Sequence, residues 1–200
     1  MTMAPEDLLP EIALLARMQR GDEAAFVQIY RRHRDAVHRL ALLYAGRAAV
    51  AADVTQETFV HLMSHASQFD PARGSLGAWL CGIARNLARR AAGEREEPVD
   101  PAALADDEAP IDAHVERETP LDRLLRDEAA EEVRRALAAL APCYRDVLIL
   151  CELSELSYAE AAQVCGIEIG TVRSRLSRAR SQLAARLERY VRANPQEIAR

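Results

Sequence analysis

Apolar residues recur at helical spacing along most of this chain, and the breaks between runs fall at capping residues. Gly21-Asp22 closes one helix and caps the next. The second helix carries Phe26, Ile29, Tyr30, Val37, Leu40 and Tyr44 on one side. A third is expected from near Asp53 to about Ala66, with Phe59, Leu62, Met63 and Ala66 as its apolar stripe. A loop with Pro71 and Gly74 follows, running from Phe69 to Gly74. Ser75 then caps a fourth helix with Leu76, Trp79, Leu80, Ile83 and Leu87 inward. Trp79 is read as core rather than as a base-stacking ring.

Periodicity returns at Ala129 and runs to about Leu140, then from Pro142 to near Glu152. Ser157 with Glu160 three residues on is a capping box, and that short helix stops at Gly166. A last helix is expected from near Gly170-Thr171 to about Tyr190. The fold class is therefore all-α. Half of the 200 residues are apolar and only 4% aromatic, which favours helix over sheet.

Charge divides the chain further. Residues 1–92 and 129–200 each carry a net +2, whereas 93–128 hold 4 Arg against 13 acids. Residues 93–127 also contain Pro98, Pro101, Pro110 and Pro120 and few bulky apolar residues. Such a segment cannot bury enough surface to offset ordering entropy, so it reads as a flexible acidic linker. The expected organisation is a helical domain over 1–92, the linker over 93–127 and a second helical domain over 128–200. All 26 basic residues are Arg, a bias that a GC-rich genome explains as readily as a need for bidentate phosphate contacts does.

The sharpest chemistry lies in residues 157–180. A short capped helix, a glycine turn and a long Arg-rich helix have helix-turn-helix spacing. On the long helix Val172, Leu176, Ala179 and Leu183 share one side. Ser174, Ser177 and Arg178 face away from it, with Arg173 nearby and Thr171 at the helix start. These positions suit base edges, because Arg can bond guanine bidentately and Ser can pair with several bases. Arg175 and Arg180 flank the apolar stripe, and Arg186 follows further on; these suit phosphates.

The segment CELSELSYAEAAQVCGIEIGTVRSRLSRARSQL, and GTVRSRLSRAR (170–180) above all, resembles the promoter-reading C-terminal region of the extracytoplasmic-function (ECF) group of sigma-70 factors. DVTQETF (53–59) is similar to that family's polymerase-binding helix, and WLCGIARNLARR (79–90) to its −10 element helix. The resemblance implies a region 2-like domain over 1–92 and a region 4-like domain over 128–200. It also implies a sigma factor that binds core RNA polymerase, reads the −35 element as duplex and opens the −10 element. Asp53, Gln56 and Glu57, opposite Phe59, Leu62 and Met63, would dock on the clamp of the polymerase large subunit. Phe69, Arg73, Ser75, Arg85, Asn86 and Arg89 would contact the −10 element, the loop capturing a flipped base. The loop reads DPARGSLGA and is one residue longer between Phe69 and Trp79 than the family pattern, which leaves the roles of Asp70, Arg73 and Ser75 open. An anti-sigma factor is an implied partner. Two other readings compete: an ordinary helix-turn-helix regulator, and a decoy for an anti-sigma factor.

No run of about 18 apolar residues spans a membrane, and the acidic N-terminus lacks the basic start of a secretory signal. A cytoplasmic protein is expected. His61 and His65 stand one turn apart, but HLMSH lacks a zincin Glu and shows no third ligand. Cys81, Cys143, Cys151 and Cys165 form no CxxC pair and read as ordinary thiols. No catalytic motif stands out. Neither an enzyme, nor a cofactor, nor a metal is expected.

Overall fold

A computed structural model describes residues 10–93 and 131–193 of the chain. The expected linker therefore lies almost wholly outside the described residues. The chain divides into two units, residues 1–94 and 95–200, and every described element is helical.

In the first unit, α1 (Glu11–Gln19), α2 (Glu23–Ala45), α3 (Ala48–His65) and α4 (Leu76–Ala91) form a bundle. α2 is its centre and packs on the other three. Its start is fixed as expected: the Asp22 carboxylate accepts from the Ala25 N–H at 3.2 Å, a cap worth about 1 kcal/mol. Its end is set by Gly46, in left-handed conformation at φ +65°, which glycine adopts without strain. α3 begins at Ala48, earlier than expected. The Ala-rich run before Asp53 propagates the helix, so Asp53 lies inside it rather than at its cap. The core gathers Leu14, Ile29, Leu40, Leu62, Leu76 and Leu80. Thr55 and Thr58 are buried in α3, and each hydroxyl donates to the carbonyl one turn back, at 2.6 and 2.7 Å.

Two expectations about this core fail. Met63 is 60% exposed. It follows Leu62 and so stands about 100° around the helix from that buried position, on the rim of a groove. Trp79, Ile83 and Leu87 are only half-buried. The expected Leu76 and Leu80 are buried, and Ala84 and Ala88 continue them inward, a ridge of every fourth residue whose small members allow close approach.

In the second unit, residues 131–138 form α5, followed by α6 (Pro142–Leu148), α7 (Tyr158–Cys165) and α8 (Ile169–Ala193). α6 runs into a π-helical turn, Ile149–Leu153, closed by Ser154 N–H donating to Ile149 O at 2.9 Å. Glu155 follows in left-handed conformation, φ +56°. α8 packs on α6 and α7, and the core holds Leu137, Val147, Ile149, Leu150, Val172 and Leu176.

Candidate nucleic-acid and polymerase interface

The helix-turn-helix forms as its local sequence dictates. The Ser157 hydroxyl accepts from Glu160 N–H at 3.2 Å while the Glu160 carboxylate accepts from Ser157 N–H at 3.0 Å, a complete capping box. Gly166 ends α7 at φ +66°. α8 starts at Ile169, one residue before the expected Gly170.

α8 is sharply two-faced. Val172, Leu176 and Ala179 are buried, and Leu183 is half-buried. Arg173, Ser174, Ser177, Arg178 and Arg180 are exposed; Thr171 and Arg175 are half-buried. The structure therefore brings the expected base-facing group together on one side. Several of these residues already have partners. Ser174 Oγ donates to Thr171 O at 3.1 Å, and an Arg178 guanidinium N–H reaches the Tyr144 hydroxyl at 3.5 Å. Arg180 is ion-paired with Glu152. Arg186 is half-buried. Its guanidinium donates to Ala139 O at 3.0 Å, satisfying a carbonyl at the end of α5 that would otherwise lack a helical partner.

In the first unit Asp53, Gln56 and Glu57 are all exposed on α3, as expected. Val60, 53% exposed, shares their face, so the patch is acidic with an apolar centre. Beside it, between α2 and α3, runs a groove of about 520 Å³ lined by Phe26, Tyr30, Phe59, Gln56, Val60 and Met63. Tyr30 and Phe59 meet edge-on at 4.7 Å there.

The −10 candidates divide. Asn86 is exposed and Arg89 half-buried on one side of α4. Arg85, one turn before Arg89, is only 6% exposed, so its side chain is tucked beneath that surface rather than presented on it. It acts beneath the surface, donating to Asn86 Oδ1 at 3.0 Å. That engages the amide oxygen and leaves the Asn86 NH₂ as the outward donor. Arg90, one turn beyond Asn86 and exposed, is a basic neighbour that i, i+4 spacing would have revealed. Ser75 is exposed, but its hydroxyl accepts from Ala78 N–H at 3.2 Å as the α4 cap. Arg73 is exposed in the loop, where Asp70 Oδ1 accepts from Ala72 N–H at 2.9 Å. The Phe69 ring packs against Trp79, 5.8 Å between centroids, and Trp79 lies 6.2 Å from His61. His61 stacks on His65 at 4.2 Å.

Among the described residues no group of three or more His, Cys, Asp or Glu converges as a metal site, and no helix is long and apolar enough to cross a membrane. Burial pushes the Cys143 and Cys151 thiols up, away from the reactive thiolate.

A capped helix-turn-helix with a basic outer face, in a chain whose other helical unit bears an exposed acidic patch, defines the class of a two-domain DNA-binding protein. Comparison with known proteins narrows the class. Residues 29–96 match sigma-70 region 2 and residues 130–183 match sigma-70 region 4. The chain is 33% identical to the sigma-H factor of Pseudomonas aeruginosa, across 90% of this chain and 94% of that one. It is also 33% identical to the ECF sigma factor SigE of Mycolicibacterium smegmatis, covering 85% of this chain and 65% of that longer protein's length. Among solved structures it resembles CnrH, bound to the cytosolic domain of CnrY, with TM-score 0.66 and 28% identity over 88% of this chain and 96% of that one. It also resembles Bartonella quintana RpoE, bound to the anti-sigma factor NepR, with TM-score 0.59 and 28% identity over 82% and 96%. The chain belongs to the ECF group of the sigma-70 family of RNA polymerase sigma factors.

Proposed function

We propose that the two units divide promoter recognition, residues 128–200 reading the −35 element as duplex and residues 1–92 holding core polymerase and opening the −10 element. The observation that carries this reading is the segregation of α8: Val172, Leu176 and Ala179 lie inside while Arg173, Ser174, Ser177 and Arg178 lie outside. A groove-reading helix needs that arrangement.

The remaining roles follow from position and charge. Thr171, Arg173, Ser174, Ser177 and Arg178 face the base edges, with Arg175 and Arg180 toward the backbone. Asp53, Gln56 and Glu57 dock on the polymerase clamp around Val60. Asn86, oriented by Arg85, contacts the −10 strand beside Arg89 and Arg90, and the loop from Phe69 to Ser75 receives a base taken out of the stack. Unstacking a base requires about a few kcal/mol, so a preformed pocket is needed. The acidic linker sets the reach between the units, and holding both on polymerase raises their effective concentration on one promoter. An anti-sigma partner is supported by the Bartonella relative, which is bound to one.

The test is transcription in vitro: core polymerase, the full chain and a genomic DNA library, with start sites mapped. Initiation at a defined promoter set, dependent on the chain, supports the reading. A chain that directs initiation nowhere overturns it.

A further inference from the structure

α1 reaches the start of α4 through α2. Glu11, in the first turn of α1, places Oε1 2.7 Å from His33 Nε2 on α2. Arg32 adds positive potential at the same carboxylate. The His33 ring lies against the first turn of α4: two of its atoms stand 3.5 Å from where a side chain on Gly77 would begin. His33 is 14% exposed, so the junction is largely enclosed.

A helix start leaves four backbone N–H groups without helical partners and favours nearby negative charge. On α4 Ser75 covers Ala78 N–H from within the chain's own cap, and His33 of α2, with the Glu11 carboxylate against it, lies on the same turn. His33 holds the Glu11 carboxyl below its usual value, the bond between them being the largest cause. A fully exposed ion pair would contribute little. The Glu11–His33 contact is instead partly enclosed and lies against a helix start.

Docking of α1 does not need the pair, because Leu14 and Leu15 already anchor that helix in the core. What the pair adds is a fixed position for the first turn of α4. Immediately before that turn lies the loop from Phe69 to Gly74, whose far end is held where Phe69 packs on Trp79.

We propose that Glu11 and His33 are positioning residues for the −10-reading loop, so that α1 takes part in base capture without touching DNA. The proposal rests on the assignment of that loop to the −10 element. It predicts that the pair acts as a unit and that its loss changes base discrimination, not attachment.

The experiment uses the full chain with core polymerase. Glu11→Gln, His33→Phe and the double variant are compared on a responsive promoter and on versions substituted at single −10 positions. His33→Phe keeps a ring on the first turn of α4 but removes the polar contact with Glu11. Discrimination, read as the ratio of strand-opening rates between preferred and substituted promoters, should fall roughly tenfold in each variant, since small misplacements near a site have effects of that order. The double variant should be no worse than either single one. Core binding and affinity for duplex −35 DNA should stay within error. Full discrimination in Glu11→Gln, or rescue of it by the His33→Phe ring, overturns the proposal while leaving the −10 assignment standing. Substituted −10 promoters that the native chain opens at equal rates would overturn both.

Discussion

Arg180 on the outer face of α8 is paired with Glu152, twenty-eight residues earlier at the end of the π-helical turn. A proposed phosphate contact thus carries its own internal counter-ion. DNA must displace the carboxylate before it can gain the arginine. Glu152→Gln should therefore strengthen binding to any duplex about equally, leaving the ratio of specific to non-specific affinity unchanged. The slope of log affinity against log salt should steepen by about 0.9, the contribution of one extra phosphate. Titrations on promoter and random duplex over a salt series check this. Weaker binding on both would show that Glu152 instead preorganises Arg180.

Arg178 lies at the centre of the exposed face, with the Tyr144 hydroxyl at 3.5 Å as its resting partner. Arg178→Ala should weaken −35 binding by about 1–3 kcal/mol and relax specificity at one base pair. Competition binding with single-base −35 variants reads this. A uniform loss on all sequences would assign the residue to a phosphate.

Asn86 is the outward donor of the Arg85–Asn86 pair. Asn86→Asp should tighten the bond to the buried guanidinium, leaving thermal stability equal or higher. It should also turn the outer surface from donor to acceptor and abolish opening of the −10 region. Melting curves beside permanganate footprints separate the two effects.

The exposed α3 patch can be tested by charge reversal. Asp53→Arg with Glu57→Arg should remove core polymerase binding and leave helicity unchanged, because both side chains face solvent. Co-purification with core enzyme is the readout, and unchanged recovery would remove the clamp assignment.

His61 titrates below its ordinary 6.5, first because burial disfavours the imidazolium and then because His65 stacks on it. A base with a depressed folded value binds fewer protons when folded. Its contribution is therefore complete above 6.5 and is lost as pH falls through the lower folded value. The first unit should lose stability on acidification below the ordinary value of 6.5, and His61→Gln should flatten that dependence. The chain has one Trp, and it lies 6.2 Å from His61, so fluorescence-detected urea unfolding reads this unit directly.

What was legible in the sequence was local. The Ser157–Glu160 box, the Gly166 stop and the two faces of α8 each depend on residues within a few turns of one another, and the structure reproduces them. The internal partners of Arg85 and Arg186 were not legible, for a shared reason. A long amphipathic side chain can run inward to a carbonyl or amide as readily as outward, and only the packed neighbours decide which. Met63 was read inward because apolar character outweighed its angle on the helix. The Glu11–His33 junction at the start of α4 joins three distant segments and leaves no short-range signature.

Each unit closes around its own hydrophobic interior, Leu14 to Leu80 in one and Leu137 to Leu176 in the other. Such a chain has no single melting temperature. Heat or a destabilising substitution can silence one half while the other still occupies its target. A partly melted molecule is then a competitor for intact copies rather than a mere loss, and its harm depends on which half gives way first.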